Sequence, residues 1–147
     1  QKIEYKTENQ PTRFLRDYLT IKRQLQRPVR EANIYSEWKK YMEGRERKTE
    51  LVEMLEYAGY YQQITEAKLS TPELSKKMRH ICNIETDVAN VFFIQFLKYV
   101  STHKLPEEEV YKVIDLVETY LARRIVCNMP GNALTQVFCA LYKEKYG

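Results

Sequence analysis

ETDVANVFFIQFLKYVSTHK, residues 85–104, decides how this chain folds. From Val88 to Val100 the stretch is apolar almost all the way round when wound as a helix. A helix with one apolar stripe can lie on a surface, but one with no polar face must be enclosed by other elements. The stretch therefore predicts a central helix, and its neighbours should supply the walls.

Toward the C-terminus, Leu105-Pro106 precedes Glu107, Glu108 and Glu109, carboxylates that suit the positive end of a helix dipole. Val110, Val113, Ile114, Val117, Leu121 and Ile125 follow at helical spacing. The turn NMPGN then leads to a last helix marked by Leu134, Val137, Phe138 and Leu141. Toward the N-terminus, STPE offers Ser70 and Glu73 as a capping box with Pro72 in the first turn, and Leu74, Met78 and Ile81 face inward. A helix over residues 49–68 should turn Leu51, Met54, Leu55, Ala58 and Tyr61 to the core, widened by Tyr57, Tyr60 and Ile64. Ile34, Trp38 and Tyr41 mark another over 33–43, closed by Gly44 and followed by the charged loop GRERK. The first helix, 12–26, carries Phe14, Tyr18, Ile21 and Leu25 with Leu15 and Leu19 alongside, and Arg27-Pro28 breaks it. No strand pattern or internal repeat competes. The expected fold is an all-α bundle of about six to eight helices with short loops, formed by residues 11–147 after a disordered or extended lead-in, 1–10.

Composition bounds the function. The 147 residues form one domain with enough length for a core. A net charge of +4, split 14 basic to 12 acidic up to Glu73 and 10 to 8 beyond it, leaves no basic tail and makes nucleic acid a permitted partner, not a required one. Three cysteines, Cys82, Cys127 and Cys139, without a CxxC pair argue against a disulfide framework or zinc ribbon. His80 and Cys82 form an HxC that no second pair completes, so no metal is expected. No apolar run approaches the ~18 residues of a membrane span and no signal peptide is visible, which excludes a membrane partner and points to the cytoplasm. The start at Gln1 suggests a piece of a longer protein. Phosphate-binding GxxxxGK[ST], dinucleotide-binding GxGxxG and hydrolase GxSxG are all missing, so no catalytic residue or cofactor is assigned.

Two arginine groups stand out. Arg13, Arg16, Arg23 and Arg27 fall within an arc of about 80° if the first helix continues through them. Residues 13–30 hold six basic side chains against Asp17 alone. Such a face is either a solvated surface or a track for phosphates. The other pair ends LARRIVCNMP, residues 121–130. On a helical wheel Arg124 lands at about −40° from Val110, inside the apolar arc, and Arg123 near −140°, at its margin. Arg124 should then be a structural group with its stem in the core, paired with Glu85, Asp87 or carbonyls near Asn128. Arg123 should be the exposed one, open to a phosphate or a neighbouring domain.

At these residues the chain resembles a known family. VETYLARRIVCNMPGNALTQVFCALYKE is similar to the helical segment of the bacterial family that includes GmrSD-type, modification-dependent restriction endonucleases, first catalogued as a domain of unknown function. LRDYLTIKRQ and IYSEWKKYMEG resemble its RDYL-like helix and its Tyr-x-x-Phe/Trp-Lys segment, and the matches spread over residues 14–145. The resemblance implies a role in defence against foreign DNA, with Asn128 and Pro130 as structural residues of the turn. Family members carry a ParB/sulfiredoxin-like domain with a DGQQR-type motif, linked to nucleotide hydrolysis, and many carry an HNH nuclease. Neither motif set occurs here. The expectation is a non-catalytic helical linker or scaffold domain whose partners are other domains of the parent protein, and DNA if Arg13, Arg16, Arg23, Arg27 or Arg123 meet phosphates. The alternative is a protein-interaction or oligomerisation module with no nucleic-acid role.

Overall fold

The computed structural model describes residues 10–129 and 131–146, leaving aside the side chains of Glu85, Thr86 and Asn132. The expected lead-in, apart from Gln10, and Pro130 lie outside the described residues, as does the side chain of Glu85. Six α-helices are described: α1 (Gln10–Lys22), α2 (Ile34–Met42), α3 (Arg47–Thr65), α4 (Pro72–His103), α5 (Glu107–Val126) and α6 (Leu134–Tyr146). Single 3₁₀ turns, Glu31–Asn33 and Gly131–Ala133, lead into α2 and α6. Among the described residues there is no strand, so the fold is an all-α bundle.

The central helix is longer than its apolar stretch predicts. Two helices were expected, one opening at Ser70 and one over 85–104, and they are one helix of 32 residues. The segment CNIETD between them contains no Gly or Pro. The inward stripe Leu74, Met78, Ile81 runs on into Ala89, Phe92 and Phe96, all buried, so nothing interrupts the hydrogen-bond ladder. At ~1.5 Å per residue α4 is about 48 Å long. It packs against α1, α3, α5 and α6, which bury its middle from Ala89 to Leu97 except Gln95, while both ends carry exposed side chains. Phe92 stacks on Phe96 with centroids 5.6 Å apart, and Phe138 of α6 closes on Phe92 at 6.3 Å. The N-cap of α4 is Thr71, whose hydroxyl accepts from the Leu74 amide, and not Ser70. Pro72 takes the first helical position and so fixes the cap one residue before it. Ser70 instead donates to Glu107 at 3.4 Å.

Three further expectations change. Helix α1 stops at Lys22, because Gln24 turns into the left-handed region (φ 51°) and the Leu25 and Gln24 amides bond back to Thr20 and Ile21. The Thr20 hydroxyl accepts from the Val29 amide at 3.1 Å, tying the returning loop to the helix. On α3 the buried stripe is Glu50, Tyr57, Tyr61 and Ile64, whereas Leu51 and Leu55 are exposed. On α5 the stripe Val110, Ile114, Val117 and Leu121 is buried, but Ile125 is 54% exposed because the last turn runs past the body of the bundle.

Candidate interaction surface and polar sites

The four arginines of the first segment do not share a helical face, since Arg23 and Arg27 lie beyond the end of α1. Arg13 pairs with Asp87 of α4 at 3.1 Å. Arg16 is half-buried and donates from Nε to Asp17 at 3.0 Å. Arg23 pairs with Glu37 of α2. Arg27, exposed, donates from Nε and Nη2 to the Gln136 amide oxygen at 2.7 and 3.0 Å once that amide is turned to present its oxygen. The Arg13 pair joins α1 to α4, the Arg16 pair stays within α1, and Arg23 and Arg27 tie the segment after α1 to α2 and α6. A guanidinium already held by a carboxylate in a partly buried pair is a poor phosphate ligand.

Asp17 is the centre of that group. It is 1% exposed, and burial raises its carboxyl to about 6 despite the opposing charge of Arg16. Arg16 is itself desolvated, yet Asp17 outweighs burial and raises its pKa. The amide of Asn90, also 1% exposed, favours the charged carboxylate but without a well-formed hydrogen bond. Asp17 Oδ2 and both amide heteroatoms of Asn90 are buried with no hydrogen-bond partner among the described residues. This is a costly arrangement in a bundle of this size.

A second buried carboxylate, Glu50, is fully engaged. Its Oε2 accepts from Tyr41 at 2.5 Å and from Tyr18 at 3.5 Å, and its Oε1 from Arg45 at 3.2 Å. Tyr18 is wholly buried and meets Tyr41 and Tyr57 edge-on, with centroids 6.2 and 5.3 Å apart. Burial and the bond to Glu50 push the Tyr41 phenol up to about 12, so it stays a donor at neutral pH. Sequence reading missed Glu50, although its spacing to Tyr57, Tyr61 and Ile64 (seven, four, three) puts it inside a helical stripe.

At the end of α5, Arg123 is exposed and Arg124 half-buried. Arg124 lies along its own helix, donating from Nη1 to the Tyr120 hydroxyl at 3.2 Å with its guanidinium 5.7 Å from that ring. Asp87, one partner expected for it, is held by Arg13. Asn128 has φ 48°, and the amides of Asn128 and Met129 bond to Ile125 and Arg124 at 3.0 Å each. That pair of bonds is the Schellman arrangement, with Asn128 in the place glycine usually fills.

His80 pairs with Glu118 at 2.8 Å, while the Cys82 thiol donates to the Ile64 carbonyl at 3.3 Å, so the HxC side chains serve different contacts. Among the described residues no three His, Cys, Asp or Glu side chains converge as metal ligands, and no helix is long and apolar enough to cross a membrane. A cavity of about 470 Å³ opens between the end of α1, α4 and α6, lined among others by Lys22, Tyr57, Gln95 and Cys139. Burial pushes the Cys139 thiol up to about 11, which leaves it a poor nucleophile at neutral pH. Lys22 is held by Glu53 at 2.7 Å.

Among the described residues, large apolar side chains stand exposed in two regions. One joins Tyr35 of α2 to Leu51, Val52 and Leu55 of α3, exposed by 69, 53, 63 and 72%. Beside it a groove of about 480 Å³ runs between Trp38, Met42 and Leu51. The other lies along α5 and the following turn, where Leu116, Val126 and Met129 are 70, 85 and 55% exposed. Comparison with protein-family models, with curated proteins and with solved structures returned no match.

Proposed function

We propose that this chain is a non-catalytic helical scaffold domain that works by protein contact within a larger, GmrSD-type restriction protein. The observation that supports contact with protein is the distribution of side chains at the surface. Arg13, Arg16 and Arg23 are spent on Asp87, Asp17 and Glu37, while large apolar groups on α3 and α5 stand in solvent. Clusters of that kind mark surfaces that associate. The resemblance of 121-LARRIVCNMP-130 and its flanks supports the GmrSD-type setting. On this reading the neighbouring domains supply any nucleotide hydrolysis or DNA cleavage, and the apolar end of α5 meets one of them.

A second reading, direct DNA contact, is favoured only by the exposure of Arg27 and Arg123. Two experiments separate them. Neighbouring domains of the parent protein, added in trans, should bind this chain, and Val126→Asp with Met129→Asp should weaken that binding at least about tenfold. Anisotropy of a labelled DNA duplex at low salt should show weak binding that Arg27→Glu with Arg123→Glu does not change. Tight, salt-sensitive duplex binding abolished by that charge reversal would overturn the scaffold reading.

A further inference from the structure

Helix α3 has apolar side chains on two sides. The buried stripe Glu50, Tyr57, Tyr61, Ile64 and the exposed set Leu51, Val52, Leu55 lie about 150° apart around the helix. A helix that is apolar on two faces belongs between two partners, and the bundle supplies one. Leu51 and Leu55 are one turn apart and point the same way, so they form a ridge. Tyr35, Trp38 and Met42 of α2 form the opposite wall of a groove whose near wall is Leu51.

The charge around this groove selects its occupant. Residues 39–48 hold five basic side chains, of which Lys40 pairs with Glu37 and Arg45 with Glu50, leaving Lys39, Arg47 and Lys48 against Glu43 and Glu46. Lys39, Glu43 and Arg47 line the groove with Glu50 at its base, and Lys39 lies over the Tyr35 ring at 4.3 Å. Glu50, at the base, is answered by Arg45 and two tyrosines, and the Glu46 carboxylate accepts from Thr49 at 2.7 Å. The N-terminus of α3 starts here with Glu50 in its first turn to answer the helix dipole, so the positive charge at this end of the groove is that of Arg47 and Lys48.

We infer that the α2–α3 groove docks an amphipathic helix of a protein partner, with leucine-like anchors against Leu51 and Leu55 and carboxylates over Arg47, Lys48 and Lys39. This deepens the scaffold reading and rests on it. The geometry is that of a helix laid in a groove: apolar anchors give affinity and the charged end fixes register.

The test uses a fluorescein-labelled peptide of roughly 16 residues with leucines at i, i+3, i+4 and i+7 and three glutamates at one end, and its twin with lysines for the glutamates. The acidic peptide should bind the full chain with Kd on the order of 10 µM. Leu51→Ser with Leu55→Ser should weaken it at least about tenfold without lowering the melting temperature, since both side chains are exposed. Arg47→Glu with Lys48→Glu should reverse the preference toward the lysine peptide. Equal binding of both peptides, or none, overturns the inference. So does a dimer, seen by sedimentation, that Leu51→Ser with Leu55→Ser dissolves, or tighter binding of single-stranded oligothymidylate that quenches Trp38. If the peptides fail while the parent's neighbouring domains still bind in trans, the partner chemistry is wrong and the scaffold reading stands. If both fail, the scaffold reading falls with it.

Discussion

Helices α4 and α3 are both rich in apolar side chains, yet the bundle treats them differently. Around the middle of α4 four helices pack, and Ile94 and Phe96 are wholly buried. Around α3, one side carries the Tyr18–Tyr41–Glu50 cluster while Leu55, on the other, is 72% exposed. The same composition thus has two meanings. In α4 it builds the core, and in α3 it exceeds what the core can use. Substitutions should separate the two uses cleanly.

The largest effect belongs to α4. Phe92→Ala removes a ring that meets Phe93, Phe96 and Phe138, and should cost about 4 kcal/mol in urea denaturation. A loss below about 1 kcal/mol would mean that the central helix is not the core. Next comes the inner face of α3. Glu50→Ala strands the hydroxyls of Tyr18 and Tyr41 and should cost about 3 kcal/mol, whereas Glu50→Gln, which keeps an acceptor, should cost about half of that.

The contact of α1 with α4 adds a pH dependence. Asp17 has its carboxyl raised from 3.8 to about 6 in the folded chain, so the folded state binds the proton more tightly than the unfolded one. Its contribution is full below about pH 4 and is lost as pH rises through about 6, a change of up to about 3 kcal/mol. Other carboxylates shift the opposite way, Glu53 among them, so the readout is the difference between wild type and Asp17→Asn. That difference should fall between pH 4 and pH 7, and a flat profile would show that Asp17 is solvated. The smallest effect belongs to the outer face of α3. Leu51→Ser and Leu55→Ser should each change stability by less than about 0.5 kcal/mol.

How far the sequence reveals this differs by element. The enclosure of Val88–Val100 is legible because a helix without a polar face has one place to go. Its continuity with Leu74–Ile81 is not, because Glu85-Thr86-Asp87 looks like a helix start while the absence of a breaker argues silently against one. The stripe of α3 is misread for a related reason. With apolar groups on two faces, periodicity cannot say which face the bundle takes, and only the position of Glu50 among three buried groups marks it. The arginines of the first segment look like a shared basic face only while α1 continues to Gln26. The left-handed turn at Gln24, a residue without glycine's preference for it, ends the helix early and sends Arg23 and Arg27 to different partners. Carboxylates far away in sequence, Asp87 and Glu37, then take up the charge that a local count leaves unbalanced.

The central claim is that the outer face of α3 is kept for a partner. The most direct measurement is a titration of ¹⁵N-labelled chain with the acidic amphipathic peptide, followed by amide chemical shifts. The account predicts shifts concentrated from Tyr35 to Leu55, with α5 and α6 unmoved. Shifts centred on Leu116, Val126 and Met129, or none at all, would contradict it.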